Sequence, residues 1–225
     1  MSIKLKGSTD GSVTLQAPAD TSPTGTDKTL ILPTGVGGAG QVLKNGSTAG
    51  TLEFGAVPAT AMPTGSILQV VQTHLNTADS QSLSAATKAE ISNLSVSITP
   101  TTTTSDMLVF VRWNGEPSSN NHNITFGLRR DSTDIGQPAA AGSRAVNLQG
   151  IVQGLWAQDD SSTPDSASYF YLDKDRSASS SAITYKATVT CSTAITLYNQ
   201  RNVNDVDGSS TERLTSTIIV MEVAA

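Results

Sequence analysis

The stretch Ala61-Met-Pro-Thr-Gly-Ser-Ile-Leu-Gln-Val-Val-Gln-Thr73 divides this chain into two parts of different character. Its proline and glycine interrupt the backbone, and residues 67–71 form the first run that is apolar and β-branched enough to enter a packed sheet. The sequence before it is rich in turns and offers little for a core, whereas the sequence after it can build one. We therefore predict an extended, turn-rich N-terminal arm over residues 1–61 and a β-domain over residues 62–225.

The second part alternates short strand-like runs with turn signals. This pattern favours an all-β sandwich or barrel over a scheme of alternating strands and helices. Residues 83–91 have mixed helical and extended propensity, and their weak periodicity leaves their structure open. The expected strands lie near residues 66–73, 94–99, 107–113, 123–130, 144–153, 167–173, 182–191, 194–199 and 213–223.

Two of these runs, residues 107–111 and 218–221, are apolar on both faces. A strand of this kind lies between two layers of its own domain or between its sheet and another subunit. The domain is small for many central strands, which makes a subunit interface the more attractive explanation. Leu108, Ile218 and Val220 are then the candidates for residues on the axis of an oligomer.

The composition argues against two classes of partner. Charged residues make up 15% and aromatic residues 4% of the 225 residues, and the formal net charge is −5. No basic stripe is present for phosphate contacts, so we expect no nucleic-acid partner. No run approaches the length of a membrane span, and the N-terminus lacks the apolar core of a secretion signal, so we expect synthesis in a cytosol and no membrane insertion.

Two side chains are predicted to belong to the core. Cys191 is the only cysteine, which excludes an intrachain disulfide. It ends the alternating run Tyr185-Lys-Ala-Thr-Val-Thr-Cys191, a pattern that places its thiol on the buried face, where it is inert. Trp113 follows a strongly apolar run and is predicted to be buried as well.

The arm contains an internal echo. Gly7-Ser-Thr-Asp-Gly-Ser-Val-Thr-Leu15 resembles Gly46-Ser-Thr-Ala-Gly-Thr-Leu-Glu-Phe54, since both are small-residue turns followed by a short alternating strand. Between them lies the strand-like run Lys28-Thr-Leu-Ile-Leu-Pro33, and the pair Asn45-Gly46 readily takes positive φ in a turn. Such short strands bury too little apolar area to stand alone. They need a partner, either other copies of the chain or a surface to which the arm is fixed.

Two motifs resemble ligand-binding loops only superficially. Gly35-Val-Gly-Gly-Ala-Gly40 fits the dinucleotide pattern, but the sequence after it runs into a turn, where the motif needs the N-terminus of a helix. Asn202-Val-Asn-Asp-Val-Asp-Gly208 resembles a calcium loop but has Val203 and Leu214 at ligand positions. We interpret the first as a glycine turn and the second as a hairpin turn at Asp207-Gly208.

Few groups are placed for catalysis or metal binding. Neighbouring carboxylates are a poor guide to the opposed pair of a glycan hydrolase, and polar loops carry Asp for turn formation. The histidines have no cysteine or second histidine at metal-ligand spacing, and no Gly-x-Ser-x-Gly elbow occurs. We expect no catalytic residue, no metal and no cofactor. The groups in question are the pairs Asp159/Asp160 and Asp173/Asp175, and His74 and His122.

Long polar loops are the candidates for contact with a ligand, because they are interrupted by Pro, Gly or Asp. In one of them Trp156 lies close in sequence to Asp159 and Asp160, and an aromatic beside acidic and amide groups can contact a sugar or a protein. The alternative is a strand-end aromatic that covers the edge of the sandwich. The candidate loops lie near residues 114–122, 154–166 and 200–211.

Six short segments carry a resemblance to a known class of protein. The arm and the first predicted strand contain Gly7-Ser-Thr-Asp-Gly-Ser-Val-Thr-Leu-Gln-Ala-Pro18, Gly40-Gln-Val-Leu-Lys-Asn-Gly-Ser-Thr-Ala-Gly50 and Met62-Pro-Thr-Gly-Ser-Ile-Leu-Gln-Val-Val71. The β-domain contains Leu94-Ser-Val-Ser-Ile-Thr-Pro100, Ala141-Gly-Ser-Arg144 and Leu214-Thr-Ser-Thr-Ile-Ile-Val-Met-Glu-Val223. These segments, in this order along the chain, resemble structural proteins of tailed phages that infect marine bacteria.

This resemblance implies a virion protein of the tail-fibre or spike type. Residues 1–61 are then an arm that attaches to other virion proteins, and residues 62–225 are a knob with a jelly-roll-like, C1q/TNF-like β-sandwich, commonly a homotrimer. The knob is expected to be displayed outward, where Trp156, Asp159 and Asp160 are candidates for contact with a glycan or protein of the host surface. This chain has no repetitive or coiled-coil shaft, so a short fibre, a tail accessory protein and a head-surface fibre stay open. The alternatives are a capsid decoration protein without a receptor and, in the enzyme class, a glycan depolymerase.

Overall fold

A computed structural model describes residues 2–6, 12–16, 29–119, 123–151, 161–176 and 178–225. Apart from one short 3-10 helix, Ala59–Ala61, all the regular structure in these ranges is β. Contacts between residues divide the chain into two units, Met1–Pro58 and Ala59–Ala225. The sequence places the division between residues 61 and 62. The prediction of an all-β chain with a sandwich is confirmed.

The first unit contains two antiparallel hairpins. Strands β1 (Ser2–Lys6) and β2 (Ser12–Gln16) pair with each other, as do β3 (Val42–Asn45) and β4 (Leu52–Gly55). The predicted turn between β3 and β4 is present, but its positive φ belongs to Gly50, at +81°, and not to the Asn45-Gly46 pair. Short strands separated by small residues are what the echo in the sequence predicts.

The second unit is a sandwich of two antiparallel sheets. Its strands are β5 (Ile67–Leu75), β6 (Asp79–Leu83), β7 (Ala89–Ile98), β8 (Asp106–Pro117), β9 (Thr125–Arg130), β10 (Thr133–Ile135), β11 (Gln149–Gly150), β12 (Asp165–Asp173), β13 (Ile183–Thr190), β14 (Ile195–Asn199) and β15 (Ser216–Val223). The six-stranded sheet has the order β5-β15-β8-β14-β6, and β12 also pairs with β8. The five-stranded sheet has the order β10-β9-β13-β7, and β11 also pairs with β9.

The predicted strands agree with this architecture except in three places. β6 and β10 have no counterpart in the prediction, and only Gln149–Gly150 of the expected strand at 144–153 is paired. Residues 83–91, which the sequence leaves open, end β6, turn and begin β7. Short polar strands such as β6, Asp-Ser-Gln-Ser-Leu, lack the apolar alternation on which the prediction rests.

The core lies between the two sheets and is built by period-two alternation. Trp113 is fully buried, and its indole N–H donates to Oδ1 of Asn199 at 2.7 Å while its ring lies 4.9 Å from that of Phe126. Cys191 is buried, and burial raises the pKa of its thiol. The prediction that both residues belong to the core is confirmed.

The prediction for two of the axis residues is wrong. Ile218 and Val220 are fully buried and point into the core of their own sandwich, so they cannot line an axis between subunits. Their neighbours Ile219 and Met221 point to the other face of β15. The run is apolar on both faces, as predicted. The residues that point outward are Ile219 and Met221, however, and not Ile218 and Val220.

One end of the sandwich is closed by a buried polar network, and we call this end the base. Here the backbone N–H of Gly65 donates to the carbonyl of Ala224 at 2.7 Å, and β8 begins where β15 ends. The hydroxyl of Ser105 donates to Glu222 at 2.5 Å and accepts from the guanidinium of Arg176 at 2.8 Å. The network fixes the turn that leads into β8.

Candidate functional site

The described parts of the three candidate loops meet at the end of the sandwich opposite the base, which we call the loop end. β8 runs from the base to this end, and Gly115 near its end lies opposite both Asp165, the first residue of β12, and Asn199, the last residue of β14. Antiparallel pairing therefore brings the residues after β8, before β12 and after β14 together. Parts of the predicted loops are strand, namely 114–117 and 165–166.

Hydrogen bonds join the described parts of these loops. The Asn202 side chain donates to the carbonyl of Ser162 at 2.5 Å, and the Asn204 N–H donates to the carbonyl of Ser161 at 3.1 Å. The N–H of Val203 donates to the carboxylate of Glu116, at the end of β8, at 2.6 Å. The loop end is thus a connected surface made from three separate parts of the sequence.

The predicted receptor-contact residues Trp156, Asp159 and Asp160 lie outside the described residues, as does His122. Their roles stay predictions. In the sequence, Trp156, Asp159 and Asp160 lie between residue 151 and the start of β12.

The loop after β14 contains a polar cleft of about 300 Å³. The guanidinium of Arg213 lies 2.6 Å from Oδ1 of Asp205, and Arg201 contacts the same carboxylate at 3.5 Å. In place of the predicted hairpin turn at Asp207-Gly208, a turn lies at residues 208–211, where the Thr211 N–H donates to the carbonyl of Gly208 at 3.3 Å, and the strands on either side of it, β14 and β15, do not pair with each other. Within the described ranges no group of three or more His, Cys, Asp or Glu side chains is arranged to hold a metal ion. Asp205, which resembles a calcium ligand in the sequence, is thus paired with Arg213 and Arg201.

Two carboxylates lie beneath the loop end. Glu116 is fully buried and Asp165 is 7% exposed. Burial, with a smaller contribution from the negative charge of Glu116, raises the pKa of Asp165 to about 7. Its Oδ2 atom is buried and has no hydrogen-bond partner among the described residues. Sequence reasoning did not identify this pair, because the two residues are far apart in sequence and only the pairing of β8 with β12 brings them together.

The second carboxylate pair weighed for catalysis has a structural role for one of its members. Asp173 is 1% exposed, and the guanidinium of Arg130 donates to both of its oxygens at 2.8 Å. The hydroxyl of Tyr185 also donates to it, at 2.7 Å. A carboxylate held by three hydrogen bonds inside the sandwich is not exposed to a glycan, so this residue is unsuited to be half of a hydrolytic pair.

The outer face of the six-stranded sheet carries apolar side chains in register across adjacent strands. One row consists of Ile219 on β15, Phe110 on β8 and Phe170 on β12, which are directly opposite one another. The rings of Phe110 and Phe170 are 5.8 Å apart. The next row towards the base consists of Val70, Met221, Leu108 and Leu172. We call these two rows the outer apolar face.

The outer apolar face is open to solvent in the single chain. Phe170 is 67% exposed, Val70 54% and Phe110 39%. A shallow cavity of about 500 Å³ lies where this face meets a polar row that contains His74 and Arg112. Of the predicted axis residues, Leu108 belongs to this face. The alternation within residues 107–111 and 218–221 could have identified the others, because the residues adjacent to buried ones on a strand point outward.

Comparison with protein-family models gives no match for this chain, and comparison with curated proteins gives no significant one. In the part of the chain that the structure describes, no helix is long and apolar enough to cross a membrane.

Proposed function

We propose that this chain is a structural protein of a phage virion, a short tail fibre or spike, which assembles as a homotrimer and displays its β-sandwich outward. The observation that carries the proposal is the outer apolar face. Four neighbouring strands contribute aliphatic and aromatic side chains to it, and such a contiguous patch is the usual mark of a protein–protein contact. The phage assignment itself rests on the resemblance of the sequence segments.

A second copy of the same sheet is the natural partner for this face. Its two apolar rows contain no charged residue, so copies can approach without burying an unpaired charge. A cyclic homo-oligomer repeats the same contact until the ring closes. In a trimer, β5, β8, β12 and β15 would face the axis, while the loop end would stay accessible at one tip of the assembly.

The polarity of the sandwich supports display of the loops. β5, the first strand of the sandwich, starts at the base, where Gly65 bonds to Ala224, and the connected loops lie at the other end. A protein attached through residues 1–61 and displayed outward would therefore present its loop end to a host surface. In a trimer this surface occurs three times, so weak contacts with a host glycan or protein gain avidity. Trp156, Asp159 and Asp160 remain the proposed contact residues.

Two measurements test this proposal. Light scattering of the purified full-length chain should give three times the 23.3 kDa of the monomer. Antibody labelling of phage particles, viewed by electron microscopy, should then place the protein on the tail. Label on the head would favour the decoration protein, and absence from purified particles would refute a virion role. New reducing ends after incubation with host polysaccharide would favour the depolymerase.

A further inference from the structure

Residues 29–58 of the first unit form a small β-structure that has no core of its own. None of these residues is buried, and Val36 is 97% exposed. Besides the hairpin of β3 and β4, the N–H of Ile31 donates to the carbonyl of Gly50 and its carbonyl accepts from Leu52, both at 2.8 Å. The large apolar side chains that remain exposed are Leu30, Ile31, Leu32, Val36, Val42, Leu43, Phe54 and Val57.

A structure of this kind is marginal in water. A two-stranded hairpin is at best weakly stable alone, and independent stability needs an apolar face that is covered. Here the backbone bonds are present, whereas no described residue of the unit covers these apolar side chains. Contacts with another molecule can supply the missing stabilisation.

The same hairpin pattern occurs twice in the chain. Leu5-Lys-Gly-Ser-Thr-Asp-Gly-Ser-Val-Thr-Leu15 and Leu43-Lys-Asn-Gly-Ser-Thr-Ala-Gly-Thr-Leu-Glu-Phe54 match in order, and each folds as an antiparallel pair, β1 with β2 and β3 with β4. Structural repeats that cannot bury an apolar surface alone do so against equivalent repeats. A partner that matches both hairpins needs the same two repeats at the same spacing along its chain. Another copy of this chain, parallel and in register, meets that requirement.

The charges of the segment agree with this partner. Lys44 and Glu53 are its only charged residues, and they lie opposite each other across the hairpin with 3.1 Å between Nζ and Oε1. Parallel copies packed side by side would therefore meet no net like charge. Attachment to an acidic or basic surface, by contrast, would use a net charge that this segment lacks.

We propose that residues 29–58 are a self-association module, whose β-structure obtains its apolar core from the same segment of neighbouring copies in register. This inference deepens the homotrimer of the proposed function, but it concerns contacts between copies and does not depend on a virion. The contact between these segments is additional to the contact at the outer apolar face. The sequence leaves two partners open for the arm, other copies of the chain or a surface, and this inference assigns other copies to residues 29–58.

Hydrogen exchange of the full-length chain, followed by mass spectrometry over a wide range of protein concentrations, tests the inference. The amides of Val42–Asn45 and Leu52–Gly55 should exchange at least about tenfold more slowly in the associated protein than in the dilute monomer. The gain should follow the native mass measured in the same samples. Protection that does not change with association, or a chain that stays monomeric throughout, would overturn the inference.

A matched pair of variants separates this segment from the sandwich. The triple substitution Leu30→Ser, Leu32→Ser and Val42→Ser removes exposed apolar side chains, and it should abolish the concentration-dependent protection. Val206→Ser, which removes a side chain that is 59% exposed in the loop after β14, should leave it intact. Protection retained by the triple variant would refute the module. Because the readout is exchange within residues 29–58, a protein missing from phage particles would refute the proposed function while leaving this result unaffected.

Discussion

Glu222 holds the backbone of Thr101: the N–H of Thr101 donates to both oxygens of the Glu222 carboxylate, at 2.9 and 3.0 Å. The carboxylate is fully buried in the base of the sandwich, where it also accepts from the N–H of Thr102 at 3.2 Å and from the hydroxyl of Ser105. A buried charge is tolerated only when such donors replace its water. The last strand of the chain thus fixes the turn before the central strand β8.

Replacing Glu222 by Gln should lower the free energy of unfolding by about 2–4 kcal/mol at neutral pH, because an N–H donor then faces donors. Burial alone would raise the pKa of Glu222, but hydrogen bonds from Ser105, Thr101 and Gln69 lower it below its ordinary value of 4.5. A lowered pKa contributes stability above pH 4.5 that is lost as the pH falls through the folded-state value. Urea unfolding should therefore show a difference that shrinks on acidification. Glu212→Gln, at an exposed site, is the control, and an equal effect of both variants would contradict this role.

Gly115 is predicted to be indispensable where three strands meet. A Cβ atom on Gly115 would overlap the carbonyl oxygen of Tyr198 and the ring of Trp113. Because one neighbour is backbone and the other is a fully buried ring, Gly115→Ala should destabilise the sandwich by about 2–3 kcal/mol. Gly150→Ala, in the short strand β11 with open space around it, should cost much less. Thermal unfolding of the two variants compares them directly, and similar melting temperatures would count against close packing at this junction.

The sequence predicts the strands that build the core and misses those that do not. Alternation before Cys191 and the continuous apolar runs around Val109 and Ile218 identify buried strands, since both patterns are typical of strands that enter a core. The polar strand β6 carries no such signal, because it is held by pairing to β14. The buried pair Glu116 and Asp165 has no signal either, because strand pairing decides which distant residues become neighbours. The meeting of the described loop parts at one end depends on strand pairing as well, which the sequence does not determine.

Asp165 is predicted to make stability fall as the pH rises from mildly acidic to neutral. Its pKa is raised to about 7 by burial and by Glu116, so the folded state holds the proton more firmly than the unfolded state does. Stability is then fully present near pH 4 and is lost as the pH rises through 7. Asp165→Asn removes the ionisation and should stabilise the protein by about 1–3 kcal/mol at pH 8, with little effect at pH 4. Denaturant unfolding across this range measures the difference. A gain of the same size at every pH would show that the charge of Asp165 is not the cause.

Phe170 is predicted to contribute to association between copies and little to the fold of a single copy. Its side chain is 67% exposed in the single chain, opposite Phe110 on the neighbouring strand. Covering it in an interface should contribute about 1.5–3 kcal/mol, so Phe170→Ser should weaken association by roughly tenfold or more while the unfolding of the dilute monomer changes little. Sedimentation equilibrium over a concentration series measures the first effect, and urea unfolding at low concentration measures the second. Val206→Ser removes an exposed apolar side chain at the loop end and should change neither. If Phe170→Ser associates as strongly as the unmodified protein, the outer apolar face is not the interface, and residues 29–58 would have to hold the copies together alone.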